Sequence, residues 1–337
     1  TGGRFPSESV AAFIGMRNKS FEHIGAQLDA LGLDIIVHTF GKDGQFTIDG
    51  AAVPPGEVDV DYFWLSNHVN AGGYQKMALS LVADCKSVGV LQTFNAGLDN
   101  PAYKKISAKG TRICNSSAQA VAIAEYVMAH VLSLTHPIDQ QRAQQAAKQW
   151  KATPFRELSR MNWLIVGFGP IGQEVAQRVK AFGATTTVVR RSPQTSDLVD
   201  KAGTMAELPT FLPEADVIVL ACPLNDETRG FANESFFAAV KEDAILVNIA
   251  RGALIDDSAM IAALDDGRFA TAVLDVFNPE PLPEDNPLWS HPKVRVTPHT
   301  SFAGDGGRAR WDQLFLDNIT HFVKGEAIAS EVDPKDI

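Results

Sequence analysis

At 337 residues the chain exceeds the usual size of a single core, so two domains are expected. A composition of 45% hydrophobic and 21% charged residues suits a globular protein in water, and a formal net charge of −10 argues against nucleic acid or an anionic membrane as partner. The three cysteines, Cys85, Cys114 and Cys222, have neither disulfide-framework nor zinc spacing and read as buried thiols of a reducing compartment. The opening residues lack the basic-then-apolar pattern of a secretion signal, and the missing initial Met suggests a trimmed start. The most apolar stretch, 118–135, carries Glu125 and His130, so no membrane span is expected and the cytoplasm is the default location.

In chain order, residues 34–38 and 60–65 read as strands, 73–83 as a helix and 87–93 as a third strand. Strands alternating with helices imply βαβ units and a parallel sheet. Ligands on such sheets bind beyond the carboxyl ends of strands. That rule singles out the loop Ser66, Asn67, His68, Val69 and the loop Asn95, Ala96, Gly97, which leads into a turn at 99–101. An alanine-rich apolar helix over 116–133 reads as a connector or interface helix, and the polar stretch 140–151 follows it. Then the pattern sharpens. A strand at 163–166, a helix at 171–182 and a strand at 185–189 are followed by strands at 217–220, 244–248, 272–275 and 294–297, a complete doubly wound sheet. A last helix, 308–324, is long enough to return to the first domain.

Directly after the strand ending at Val166 stands Gly167-Phe168-Gly169-Pro170-Ile171-Gly172. Alone, this glycine pattern is weak evidence. Here it has a strand before it, a helix after it and a second strand close behind, the context of a dinucleotide fingerprint. The first glycine permits the tight turn, the second lets the backbone approach a pyrophosphate, and the third allows close packing of helix on strand. Pro170 lacks an N–H and suits a helix start. NAD-binding versions place an acid about 20 residues further on to hold the ribose 2′-hydroxyl. This chain has Arg190, Arg191 and Ser192 there instead, and its next acid is Asp197. Two guanidiniums and a hydroxyl suit a 2′-phosphate, so NADP(H) is expected in preference to NAD(H), with NAD(H) still possible. The bland alternative makes both arginines solvated charges beside an NAD site. The segment after the next strand, with Cys222, Pro223 and Thr228, should border the adenosine and pyrophosphate, or simply form a turn stiffened by Pro223.

Three polar groups follow three successive strands: Asn248-Ile249-Ala250-Arg251-Gly252, then Asp275 through Glu280, then Thr297-Pro298-His299-Thr300-Ser301. A cation, an acid and an imidazole at neighbouring strand ends make a hydride-transfer set. Arg251 can pair with a carboxylate, His299 can give or take a proton, and Glu280 can sustain the imidazolium. Taken singly, each has an ordinary structural explanation as a surface Arg, a turn Glu or a core His. Ile249, Ala250, Asp275 and Ser301 join the expected cofactor contacts. No His, Asp and Glu cluster has ligand spacing, so no metal is expected.

These stretches, together with 91–99 and Pro287-Leu288-Trp289, resemble the D-isomer-specific 2-hydroxyacid dehydrogenase family over nearly the whole chain. The resemblance implies two doubly wound α/β domains: a Rossmann cofactor domain at 114–302, inserted into a flavodoxin-like substrate domain formed by 1–113 and 303–337. It also implies a homodimer through the cofactor domains and closure over substrate. By the same resemblance, Arg251 binds the substrate carboxylate and 2-oxo oxygen, His299 is the acid/base, Glu280 pairs with it and raises its pKa, and Asp275 holds the nicotinamide amide. The loop 66–69 offers backbone donors to the carboxylate, with Asn67, His68, Val69, Ala96 and Gly97 as substrate contacts; His68 either touches substrate or caps the helix after it. Glu280 stands where formate dehydrogenases of the family carry Gln, which argues against that activity. No regulatory extension follows the last helix, unlike long phosphoglycerate dehydrogenases. A glyoxylate/hydroxypyruvate-type reductase is the leading expectation, and a non-catalytic dinucleotide sensor of corepressor type is the alternative.

Overall fold

The computed structural model describes residues 10–14, 22–40, 45–48, 51–67, 69, 73–192 and 196–337. The chain divides into two compact units, Thr1–Gln119 with Asp305–Ile337, and Ala120–Gly304. Each has its own seven-stranded sheet.

In the first unit the strands are β1 (Val10–Ile14), β2 (Ile36–Phe40), β3 (Phe46–Ile48), β4 (Ala51–Val53), β5 (Asp59–Leu65), β6 (Ser87–Gln92) and β7 (Arg112–Cys114). Their order is β4-β3-β2-β1-β5-β6-β7. The run β2-β1-β5-β6-β7 is parallel and has the flavodoxin-like order. Tyr62 to Leu65 in the middle of β5 are all buried, as both faces of a central parallel strand must be. Beyond this parallel run, β3 and β4 add an antiparallel hairpin at one edge. Its anchor is Phe46, whose ring meets Phe40 at 5.2 Å and Phe63 at 6.1 Å. Strands this short carry too few alternating positions to be read from sequence.

The helix Gly307–Val323 belongs to this first unit, where Phe315 stacks on Trp64 at 4.1 Å. Beyond it, Glu331 receives both Nε and Nη2 of Arg112 at 2.7 and 2.6 Å. The domain boundary expected at 114 is displaced. Cys114 is the last residue of β7 and pairs with Gln92. The loop after it is also tied to the first unit, by Ser116 N–H donating to Asn95 O and Asn115 N–H to Ser330 O. The division therefore falls between 119 and 120, and again between 304 and 305.

The second unit holds β8 (Asn162–Val166), β9 (Thr185–Val189), β10 (Lys201–Gly203), β11 (Val217–Leu220), β12 (Ile245–Asn248), β13 (Thr271–Leu274) and β14 (Val294–Val296). The order is β10-β9-β8-β11-β12-β13-β14, with every neighbouring pair parallel. This is the Rossmann order with one added strand, and the order reverses between β8 and β11. Continuous apolar runs form the buried strands, and helix Ala120–Thr135 lays Ile123, Val127, Met128 and Val131 into the same core. Among the described residues no single helix is long and apolar enough to cross a membrane; Ala120–Thr135 passes only jointly with Ile138–Ala146, across a 54° bend. That second helix lies in the polar stretch where sequence periodicity is absent, and Gln144 is its one buried residue.

Asp216, just before β11, has a side chain only 6% exposed. It accepts from Arg156 Nη2 at 3.0 Å, Lys241 Nζ at 2.6 Å and the Asn162 N–H at 2.8 Å. Both cations are partly exposed and can rehydrate. Asp216→Ala is therefore expected to cost about 2 kcal/mol, the scale of a charged hydrogen bond. A thermal melt should show it as a lower Tm, and an unchanged Tm would mean that the cluster contributes nothing.

Candidate active site

Because β8 to β14 all run one way, the loops that follow them leave the sheet at one edge. The glycine-rich loop follows β8. Gly167 has φ +103, and a Cβ there would stand 2.6 Å from the backbone of Ala221 and Cys222. At Gly172 a Cβ would come within 2.2 Å of Gly167 O, so helix Pro170–Ala181 approaches the strand more closely than any side chain permits. Around Gly169 nothing lies within 4 Å of the Cβ position, which leaves room for an anion at the helix N-terminus. Pro170 is the first helical residue, and Ile171 is partly buried against the core.

Arg190 follows β9, anchored by its N–H to Gly203 O at 3.0 Å. Its side chain is half-buried, while Arg191 and Ser192 are exposed. After β11, Cys222 is buried, which pushes its thiol pKa up to about 12 and leaves it an inert part of the loop wall. The Thr228 hydroxyl donates to Pro223 O at 2.8 Å and accepts the Asn225 N–H at 2.9 Å. The hydroxyl thereby closes its own loop and fixes the shape of the segment expected to border the cofactor.

At the end of β12, Asn248 is wholly buried. Its Oδ1 accepts the Ala250 N–H at 3.1 Å and its Nδ2 donates to Arg251 O at 2.9 Å. This side-chain bracket sets the turn through Ile249 and Ala250 and aims Arg251, whose Nη1 donates to Ala250 O at 2.6 Å. At Gly252 a Cβ would fall 2.1 Å from the Phe277 carbonyl carbon. The β12 and β13 loops thus touch where only glycine fits. Asn248 lay within the motif read from sequence without a role; its signal was an amide directly at a strand end.

On the β13 loop, Glu280 accepts His299 Nδ1 at 2.8 Å and the Phe277 N–H at 2.9 Å. Burial alone would raise the Glu280 pKa, but these two hydrogen bonds and the charges of His299 and Arg251 outweigh it and hold it below its usual value. His299 sits in the left-handed region with φ +49 and donates its N–H to Asp275 O at 2.8 Å. Its ring meets Phe302 edge-on at 6.1 Å. With Nδ1 on Glu280, Nε2 has no hydrogen-bond partner among the described residues. Glu280 thus holds His299 directly and lies within the electrostatic influence of Arg251. Asp275, directly after β13, and Ser301, in the turn after β14, are both buried.

The remaining expected contacts lie in the first unit, at the carboxyl ends of β5 and β6. Asn67 is half-buried, Val69 is buried, and Ala96 and Gly97 are half-buried. His68 lies outside the described residues.

Residues 128–301, just over half of the chain, match the D-isomer specific 2-hydroxyacid dehydrogenase NAD-binding domain. The chain belongs to that family. It is 34% identical over 183 residues to glyoxylate/hydroxypyruvate reductase A of Yersinia enterocolitica, a match covering 54% of this chain and 58% of that protein. It is 32% identical to D-3-phosphoglycerate dehydrogenase of Bacillus subtilis, over 77% of this chain and 50% of the relative, so the chain spans about half the length of these two relatives. Among solved structures, the D-isomer specific 2-hydroxyacid dehydrogenase of Xanthobacter autotrophicus Py2, in complex with NADPH and MES, superposes with a TM-score of 0.76 at 25% identity, covering 97% of this chain and 99% of that one.

A carboxylate with a depressed pKa contributes stability that is full above its unfolded pKa, about 4.5, and is lost as pH falls through the folded value. The difference in Tm between the native protein and Glu280→Gln should accordingly shrink as pH falls below about 5. A difference that is constant down to pH 3 would show that Glu280 is not held preferentially ionised.

Proposed function

We propose that this chain is a 2-oxo acid reductase, which uses NADPH to convert a small 2-oxo acid into its D-2-hydroxy acid. The observation that supports it most is the His299–Glu280 pair at 2.8 Å, with the charge of Arg251 near enough to help hold Glu280 ionised. Arg251 pairs with the substrate carboxylate through its planar fork and polarises the 2-oxo oxygen. His299 gives a proton from Nε2 to that oxygen, while Glu280 fixes the ring by its Nδ1 and stabilises the imidazolium. The relatives named above are dehydrogenases and reductases, which favours this reading over a dinucleotide sensor. Glyoxylate and hydroxypyruvate lead the substrate list on the strength of the Yersinia relative.

The nicotinamide supplies the hydride when bound. The open space before Gly169 and the helix start at Pro170 suit its pyrophosphate, with Ile171, Cys222, Pro223, Ile249, Ala250 and Ser301 as flanking contacts. Asp275 takes the nicotinamide amide. Arg190, Arg191 and Ser192, at the end of the second strand of the fold, stand where an acid would select NAD, and they select the 2′-phosphate instead. Asn67, His68, Val69, Ala96 and Gly97 are proposed to contact substrate, as the carboxyl-end loops of their own sheet.

A homodimer is part of the proposal. In the second unit Trp150 is fully exposed, and Ile138 and Phe155 are about half exposed, apolar side chains that a second copy would cover. Trp150→Glu should halve the mass measured by light scattering, whereas an unchanged mass would remove this face from the interface. Cytoplasmic location is supported by the three buried free thiols.

The decisive assay follows NADPH and NADH oxidation at 340 nm with glyoxylate, hydroxypyruvate, pyruvate, 2-oxobutyrate and phenylpyruvate. Turnover should favour NADPH, and His299→Asn should lose at least about 100-fold in kcat while still binding NADPH. Arg190→Asp should raise KM for NADPH by about 10-fold or more with little change for NADH. No oxidation with any acid, despite NADPH binding, would overturn the reductase reading. Equal losses with both cofactors would overturn the phosphate contact.

A further inference from the structure

The turn that carries His299 follows an edge strand, so it lacks a flanking strand on one side to hold it. It is instead organised around one carboxylate. Asp275 is wholly buried. Its Oδ1 accepts Thr297 Oγ1 at 2.6 Å and the Thr300 N–H at 2.8 Å, and its Oδ2 accepts the Ser301 N–H at 2.9 Å. Its backbone oxygen takes the His299 N–H. Four donors from residues 297–301 thus converge on one residue, and they close the turn tightly enough to keep a non-glycine residue at φ +49. A non-glycine side chain in the left-handed region is strained and persists only where its surroundings impose it.

The network does not end at Asp275. Thr297 Oγ1 also meets the Tyr126 hydroxyl at 2.6 Å. A threonine hydroxyl has one proton, and it is donated to the carboxylate, so Tyr126 must be the donor to Thr297. The chain therefore has a fixed polarity, from Tyr126 to Thr297 to Asp275. Burial raises the Tyr126 pKa to about 12, which keeps that proton in place across the working range. Tyr126 is fixed in turn by helix Ala120–Thr135, whose Ile123, Val127 and Val131 are buried in the core of the unit. A second tie runs alongside, from Arg295 Nη1 on β14 to Ser133 Oγ on the same helix.

We infer that Tyr126 and Thr297 are positioning residues for the reaction: through the Asp275 carboxylate they hold the His299 turn, and with it the direction of the imidazole toward Glu280 and substrate. The inference rests on the reading of His299 as acid/base in the proposed function. Neither residue need touch substrate or cofactor. Each orients a group that does, and a displacement of about 1 Å at a proton donor is enough to cost up to about 100-fold in rate.

The test compares four variants with the native protein in the NADPH-dependent reduction of the most active 2-oxo acid of the panel. Thr297→Val removes the hydroxyl at nearly constant shape, Thr297→Ser restores it, Tyr126→Phe removes only the terminal donor, and His299→Asn is the control. Thr297→Val should lower kcat by about 10- to 100-fold, with a smaller change in NADPH affinity through Asp275 and Ser301, and Tyr126→Phe should lower kcat by about 3- to 10-fold. Thr297→Ser should recover most of the loss. A readout independent of turnover is the pair of imidazole 15N resonances of His299 in the protein without cofactor, assigned by their disappearance in His299→Asn. In Thr297→Val these should shift and broaden as the Nδ1–H bond to Glu280 loosens, and in Thr297→Ser they should return. Native kcat and native resonances in both Thr297→Val and Tyr126→Phe, with His299→Asn inactive, would overturn the positioning role alone. Full turnover by His299→Asn would overturn the acid/base reading and this inference with it.

Discussion

All seven strands of the second sheet run in the same direction, and the chemistry follows from that one constraint. Parallel strands need crossovers, so every loop after a strand must leave from the same edge. β12, β13 and β14 are hydrogen-bonded neighbours, and adjacent strands lie about 4.8 Å apart. Arg251, Glu280 and His299 follow these three strands in turn. A cation, a carboxylate and an imidazole, separated by up to 48 residues of chain, therefore arrive within reach of one another without any special folding event. The same edge presents the glycine-rich loop from β8 and the arginine pair from β9.

What converts adjacency into geometry is a small number of polar side chains that bind backbone, of which Asn248 and Asp275 are wholly buried. Asn248 brackets the turn before Arg251, Asp275 gathers the turn around His299, and Glu280 caps the Phe277 N–H while holding the imidazole. Groups like these are costly to bury unless every partner is supplied, which is also why they specify one arrangement. Gly252 completes the set, since a side chain there would push the β12 loop off the β13 loop. Against a formal charge of −10, the arginines at the strand ends give the acidic molecule its local means of meeting anions.

The sequence was most legible where patterns repeat. Apolar runs located β8, β11 and β12, β-branched residues and spacing located β9, β13 and β14, and the glycine fingerprint was specific because a strand preceded it and a helix followed. The short strands β3, β4 and β10 were not visible, because three residues contain less than one full alternation and depend on neighbours for their pairing. Helix Ile138–Ala146 was hidden for a related reason, having almost no buried face to give it periodicity. Nor did the sequence show that the Thr228 hydroxyl closes its own loop, since those bonds depend on how the turn folds.

By itself, then, the sequence determined the doubly wound architecture, the glycine cradle, the arginines in place of an acid after the second strand, and the identity of the Arg251, Glu280 and His299 set. Each of these depends on local period or on the order of residues along the chain. Only the tertiary structure decided which oxygen receives which proton: that Glu280 is divided between His299 and Phe277, that Asp275 takes three donors on its carboxylate, and that Tyr126, 171 residues from Thr297, completes the chain of bonds. Hydrogen bonds between residues so far apart in sequence are set by how helices and strands pack, and packing leaves no local pattern to read.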